Sequence, residues 1–190
     1  MTDHDVAANA VSELLLAQKA NRSFSWERES IRDYFDAEFE KIGLYCLSKK
    51  PDNILMWSHY ANYHYGYCLQ FEGTNYTPFF GEAQPVKYKR DYPVVDCMNM
   101  SNEEQVDLVF LTKFRDWSYE NEFRVIHIQK GPGLREYPAE LLKGVIFGLR
   151  MEKKEKDQIR EWVGRRGHPV KFYQAFQSKS RFAIEISEIK

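Results

Sequence analysis

The stretch Met56-Trp57-Ser58-His59-Tyr60-Ala61-Asn62-Tyr63-His64-Tyr65-Gly66-Tyr67-Cys68-Leu69-Gln70-Phe71 decides the reading of this 190-residue chain. At helical spacing Trp57, Ala61 and Tyr65 (or His64) share one stripe, and Met56, Tyr60 and Tyr63 share another. Asp52 is placed to cap such a helix, which the pattern carries from Asn53 to His64. Gly66 stops it, and Tyr67–Phe71 then reads as a buried strand. A helix passing within a few residues into a strand points to a mixed α and β domain.

Working outward, the same mixture continues on both sides. Toward the N-terminus, Leu44-Tyr45-Cys46-Leu47 is a short strand. Before it, two amphipathic helices are expected, one carrying Ala7, Ala10, Val11 and Leu14. The second, capped by Ser25, carries Ile31, Tyr34, Phe35, Phe39 and Ile42. Toward the C-terminus, Pro85–Lys89 alternates like a strand with one wet face. Ser101 and Glu104 form a capping box opening a helix whose stripe is Val106, Val109, Phe110, Phe114 and Trp117. Strands follow at Phe123–Gln129 and Val145–Leu149, then a helix over Glu152–Val163 with Ile159, Trp162 and Val163 inward. A hairpin of Val170–Phe176 and Phe182–Ile186 closes the chain. The expected class is α+β: N-terminal helices (1–42), then a mixed, mainly antiparallel sheet with packed helices in one globular unit (43–190).

Composition narrows the function classes. Twenty-seven basic and 28 acidic residues leave a formal charge of -1, so a broad electrostatic grip on nucleic acid or an anionic membrane is not expected. The basic positions from Arg150 to Arg166 are interrupted by Glu152, Glu155 and Asp157, the pattern of a solvated helix face. No apolar run spans a bilayer and no secretory signal is visible. Cys46, Cys68 and Cys97 form no C-x-x-C pair and fit reduced thiols of a cytoplasmic protein. Phosphate-binding loops, dinucleotide fingerprints and nucleophile elbows are missing from the sequence. His59 and His64 are five apart, off one helical face, so no metal site is expected.

Two clusters can carry chemistry. The first is Trp57 to Tyr65, with more aromatic rings than one buried stripe requires. Either a planar ligand stacks there or Trp57, Tyr60 and Tyr63 anchor the core. The second is Trp117-Ser118-Tyr119-Glu120-Asn121-Glu122-Phe123-Arg124. On an extended chain Glu120, Glu122 and Arg124 point one way and Phe123 and Val125 the other. Such a face is either an ion pair at a sheet edge or a site in which one carboxylate binds a hydroxyl while the other activates a nucleophile.

Cys46-Leu47-Ser48, Met56-Trp57-Ser58-His59-Tyr60-Ala61 with Gly66, and Trp117-Ser118-Tyr119-Glu120-Asn121-Glu122-Phe123-Arg124 together resemble an uncharacterised bacterial family. Its members read roughly C-F-S, M-W-S-H-Y-A-x-x-H-x-G, a later Y, W-x-Y-E-x-E-[FY]-R and I-x-x-G; Tyr88 and Val145-Ile146-Phe147-Gly148 stand where the later features fall. The family's opening L-Y-K-[YF]-R-like strand and N-D-P-F segment have no counterpart here. The resemblance implies a neighbourhood of abortive-infection or phage-defence genes. The family's layout is similar at fold level to that of ADP-ribosyltransferases. That similarity implies NAD as the cofactor and a small nucleotide as the ligand. Glu122 would be the catalytic carboxylate and Glu120 its partner. Trp57, His59, Tyr60 and Tyr88 would line the pocket, and Arg124 would orient a carboxylate or phosphate. The competing expectation is a non-enzymatic sensor or protein-interaction module of a defence system.

Overall fold

Asn53, rather than Asp52, starts the central helix α1 (Ile54–Tyr60): its side chain accepts hydrogen bonds from the Leu55 and Met56 N–H groups at 2.9 and 3.3 Å. In the computed structural model, which describes residues 33, 36–96, 99–128 and 130–189, α1 is shorter than the aromatic periodicity predicts. Asn62, Tyr63 and His64 follow it with φ of 45°, 52° and 73°. Three successive left-handed residues other than glycine cost roughly 1–2 kcal/mol each, so tertiary contacts must hold them. They do: the His64 carbonyl accepts from the Arg150 N–H at 3.0 Å, and the Gly66 carbonyl accepts from the Gly148 N–H at 2.9 Å. The ring of His64 lies parallel to Trp57 and its Nε2 sits 3.1 Å from the Ser58 hydroxyl. Periodicity alone cannot see a reversal imposed by a neighbouring strand end.

Among the described residues, nine strands form three sheets. β1 (Gly43–Ser48) pairs antiparallel with β6 (Glu122–His127), which also pairs with the two-residue β3 (Gln84–Pro85). β2 (Tyr67–Phe71), β7 (Leu142–Phe147), β8 (Lys171–Gln177) and β9 (Ile184–Ile189) form a four-stranded sheet in the order β2-β7-β8-β9. Only β7 and β8 run parallel there, joined by the crossover helix α3 (Lys153–Gly164); the other pairings are antiparallel. β4 (Lys87–Lys89) and β5 (Thr112–Phe114) make a small parallel pair. The α+β class expected from the sequence is the one observed.

Hydrophobic burial explains the layering around the four-stranded sheet. Val145 and Phe147 of β7 face Met151, Ile159 and Val163 on the α3 side, while Ile146 faces Trp57 and Ala61 of the α1 side. The near-continuous apolar run of β7 is what burial on both faces demands.

Several expected boundaries move. The helix opened by the Ser101–Glu104 capping box, α2 (Asn102–Phe110), ends before Phe114 and Trp117. Those residues belong to β5 and to a 3-10 helix over Arg115–Glu120. Glu120 is therefore not on a strand. The strand expected at Pro85–Lys89 splits at buried Val86 into β3 and β4, which pair with different partners. Trp162 is 56% exposed rather than inward. Of the two N-terminal helices read from the sequence, the first lies outside the described residues; of the second, residues 36–39 are helical.

The corner between β2 and β7 depends on Gly148, where a Cβ would stand 2.2 Å from the His64 carbonyl oxygen and 2.5 Å from that of Gly66. Gly148→Ala should lower stability by about 2 kcal/mol or more and the melting temperature by roughly 4–8 °C. At Gly164 in α3 a Cβ meets nothing within 4 Å, so Gly164→Ala should stay within about 1 kcal/mol of the parent. Calorimetry of the two variants checks the contrast.

Candidate functional site

The two clusters singled out in the sequence meet through one hydrogen bond, from the Tyr60 hydroxyl on α1 to the Glu120 carboxylate at 2.8 Å. Glu120 is 2% exposed. It reaches this position because the 3-10 helix ends in Asn121, a left-handed residue with φ 46° and ψ 50°, which turns the chain directly into β6. Side chains from β1 and from the cap of α1 hold that helix in place. The Ser48 hydroxyl donates to the Glu120 carbonyl, and the Asn53 amide donates to the Tyr119 carbonyl at 3.0 Å.

Lys113 of β5 is the hub. Its ammonium bonds the Glu120 carboxylate and, at 3.1 Å, Glu122. Arg124 grips Glu122 with both arms of its fork, Nε to Oε1 at 2.7 Å and Nη2 to Oε2 at 3.0 Å, and its third donor reaches the Phe110 carbonyl at the end of α2. The Tyr88 hydroxyl of β4 accepts the Glu122 backbone N–H at 2.9 Å. Two carboxylates therefore face two cations, and the charges cancel.

Electrostatics follow from that packing. Burial raises the pKa of Glu122, but hydrogen bonds from Arg124, Cys46 and Lys113 outweigh it and hold the carboxyl at about 2. Cys46, opposite Arg124 in the β1–β6 register, has its thiol pushed up to about 11, first by burial and then by Glu122. Burial, with the hydrogen bond to Glu120, also raises Tyr60. Glu122 at neutral pH is thus a fixed anion, unsuited to exchanging protons. It can orient a hydroxyl or offset developing positive charge.

The residues expected to bind a ligand divide by environment. Tyr60 is 62% exposed; His59 lies beside it, with its ring centroid 6.1 Å from that of Trp117. Tyr88 and Arg124 are half-buried inside the ion cluster. Trp57 is 3% exposed, packed into the core with its indole N–H on the Pro51 carbonyl at 2.6 Å. Sequence reasoning missed Lys113 altogether. It follows a helix by three residues in an ordinary Thr-Lys-Phe, and no spacing rule marks it. Among the described residues no three His, Cys, Asp or Glu side chains are grouped to hold a metal ion, and no helix is long and apolar enough to cross a membrane.

Beside the cluster runs a groove of about 950 Å³ between β1 and β2. Tyr60, Cys46 and Ser48 belong to both, so the groove is the open side of the site. Successive residues of each strand line it, Tyr45 to Ser48 and Tyr67 to Phe71. Both parities of each strand are thus represented, as they are where a groove runs along a strand edge. Lys49 and Lys50 stand at the groove, and among the described residues no Asp or Glu lines it.

The cluster makes stability depend on acid. Glu122 titrates near 2 when folded and near about 4.3 when unfolded. Its contribution is therefore complete above about pH 4.3 and lost as pH falls through 2, roughly 3 kcal/mol in all. Glu122→Gln should be less stable than the parent at pH 7 by about 3–5 kcal/mol, because Arg124 and Lys113 lose a buried partner. That gap should narrow steadily between about pH 4.5 and pH 2 in urea unfolding series of the two proteins.

Comparison with known proteins adds one likeness. No curated protein and no solved structure matches the chain. Residues 56–125, which hold both tryptophan-containing motifs together with Tyr88 and Lys113, match the sequence profile of an uncharacterised family, described as a protein of unknown function (DUF2971).

Proposed function

We propose that this chain is a protein-interaction module that takes up an extended, acidic peptide segment by strand addition between β1 and β2. One observation carries the reading: β1 and β2 each end their sheet, neither has a second partner among the described residues, and both edges line the same groove. An unpaired edge offers a row of backbone N–H and C=O groups, which natural proteins normally cover or blunt. A strand laid between two such edges satisfies both rows at once. It would join the sheets into the continuous order β3-β6-β1-strand-β2-β7-β8-β9.

Affinity in such a mode comes from main-chain hydrogen bonds and specificity from alternate side chains. Tyr45, Tyr60 and Tyr67, all at least 40% exposed, supply aromatic surface along the groove. Lys49 and Lys50, with no carboxylate among the described lining residues, favour acidic side chains. The ion cluster contributes rigidity. It locks β6 and the 3-10 helix against β1, so the accepting edge is fixed before the peptide arrives.

A second reading, an ADP-ribosyltransferase-like activity that uses NAD, is favoured by Glu122. A carboxylate held ionised beside a groove suits stabilisation of the cationic ribosyl centre formed as nicotinamide leaves. Here Glu122 and Glu120 would be the catalytic pair, with Tyr60, His59, Trp57, Tyr88 and Arg124 around the nucleotide. It ranks second because Arg124 and Lys113 already neutralise the two carboxylates.

Fluorescence anisotropy with labelled octapeptides tests the first reading. A peptide alternating valine and glutamate should bind, and one alternating valine and lysine should not. N-methylation of its alternate amides should weaken binding at least about tenfold, through lost main-chain bonds. The double change Lys49→Glu, Lys50→Glu should reverse the charge preference. Indifference to N-methylation would reject strand addition, and equal binding of both peptides would reject the acidic preference. Calorimetric titration with NAD separates the alternative. Saturable NAD binding, with turnover falling about 10²–10³ in Glu122→Gln, would put the enzyme reading first.

A further inference from the structure

A second pocket, of about 630 Å³, opens at the carboxyl ends of the parallel strands β7 and β8. From those ends β7 leads into α3, while β8 turns back into β9. Lys156, in the first turn of α3, lines this pocket with Gln174 of β8. Lys179 and Ser180, on the turn between β8 and β9, line it as well.

The decisive feature is how Lys156 is held. Gln174 is buried, and its amide NH₂ donates to the carbonyls of Gly148 and Ala175, both at 3.0 Å. That fixes its oxygen toward the pocket, where it accepts from the Lys156 ammonium at 2.6 Å. A neutral acceptor thus positions the cation without cancelling its charge. Surface lysines are ordinarily free to swing into water. One anchored by a buried glutamine at a pocket wall is preset for an anion, with two N–H donors left over. Lys179 adds a second positive charge. Glu185 is the sole carboxylate among the lining residues, so the pocket is net cationic and also offers an acceptor for a hydroxyl.

We infer that this pocket binds a small phosphorylated ligand, a phosphomonoester carrying hydroxyl groups. Lys156 and Lys179 take the phosphate, Ser180 donates to it, and Glu185 accepts from a hydroxyl of the ligand's other end. The inference is independent of the groove between β1 and β2 and stands or falls without it.

The test uses the whole chain and amide chemical-shift titrations with inorganic phosphate, ribose 5-phosphate and free ribose. Both phosphates should move the Leu149, Ala175, Gln177 and Ser180 amides saturably, ribose 5-phosphate more tightly, with half-saturation at about 1 mM or below. Free ribose should move none of them. Lys156→Met should weaken the response at least about tenfold, the value of one charge-assisted contact. Lys179→Met, on an exposed turn where folding is not at stake, should weaken it in the same direction. Lys154→Met, two residues from Lys156 and outside the pocket, should leave it unchanged. Equal affinity of the parent and both pocket variants, shifts gathered at Lys49 and Lys50 instead, or an unsaturated response would overturn the inference.

Discussion

The ammonium of Lys113, shared between the carboxylates of Glu120 and Glu122, is the contact on which the rest of this site depends. Two carboxylates that close would repel, and one would take up a proton. With Lys113 between them and Arg124 clamping the second, the two negative charges are balanced in a buried setting. Desolvating four charges is expensive, and such clusters return that energy only when nearly every donor and acceptor is matched. Here the matching draws on β4 through Tyr88, β5 through Lys113, β6 through Glu122 and Arg124, α1 through Tyr60 and the end of α2 through Phe110. The cluster therefore specifies how five elements sit together.

A second constraint sits at the far end of α1. Three left-handed residues reverse the chain between α1 and β2, and their conformation is held by the Gly148 corner and by His64 against Trp57. Backbone strain of this kind persists only where surrounding structure over-determines it. Its effect is to set β2 at the end of the four-stranded sheet, where its outer edge, like that of β1, has no strand partner among the described residues and lines the same groove. The ion cluster fixes one wall of the groove and the strained turn fixes the other. Their combination brings two strand edges that lack a partner among the described residues to a space lined by lysines and aromatic rings.

Much of this was legible in the sequence. Alternation and turn residues marked the strands near 44–47, 67–71, 145–149 and 170–186, because a strand's period is local and turn residues punctuate it. The Ser101–Glu104 box marked the start of α2, since a cap is satisfied within four residues. The two tryptophan-containing motifs were singled out as candidate carriers of chemistry, and the profile of an uncharacterised family matches a span that contains both.

What the sequence could not settle was everything decided by a distant partner. The aromatic stripe from Trp57 to Tyr65 has the period of one continuous helix; Arg150 and Gly148, far along the chain, make its second half a left-handed turn. Glu120 and Glu122 converge as an E-x-E strand face would suggest, yet they do so because Asn121 adopts a left-handed conformation and Lys113 draws both carboxylates together. Local spacing determines which residues are apolar, capped or turned, since those preferences are fixed by near neighbours. Which charges pair, which edges stay open and which lysine is anchored depend on contacts between remote segments, and only the tertiary structure supplies those.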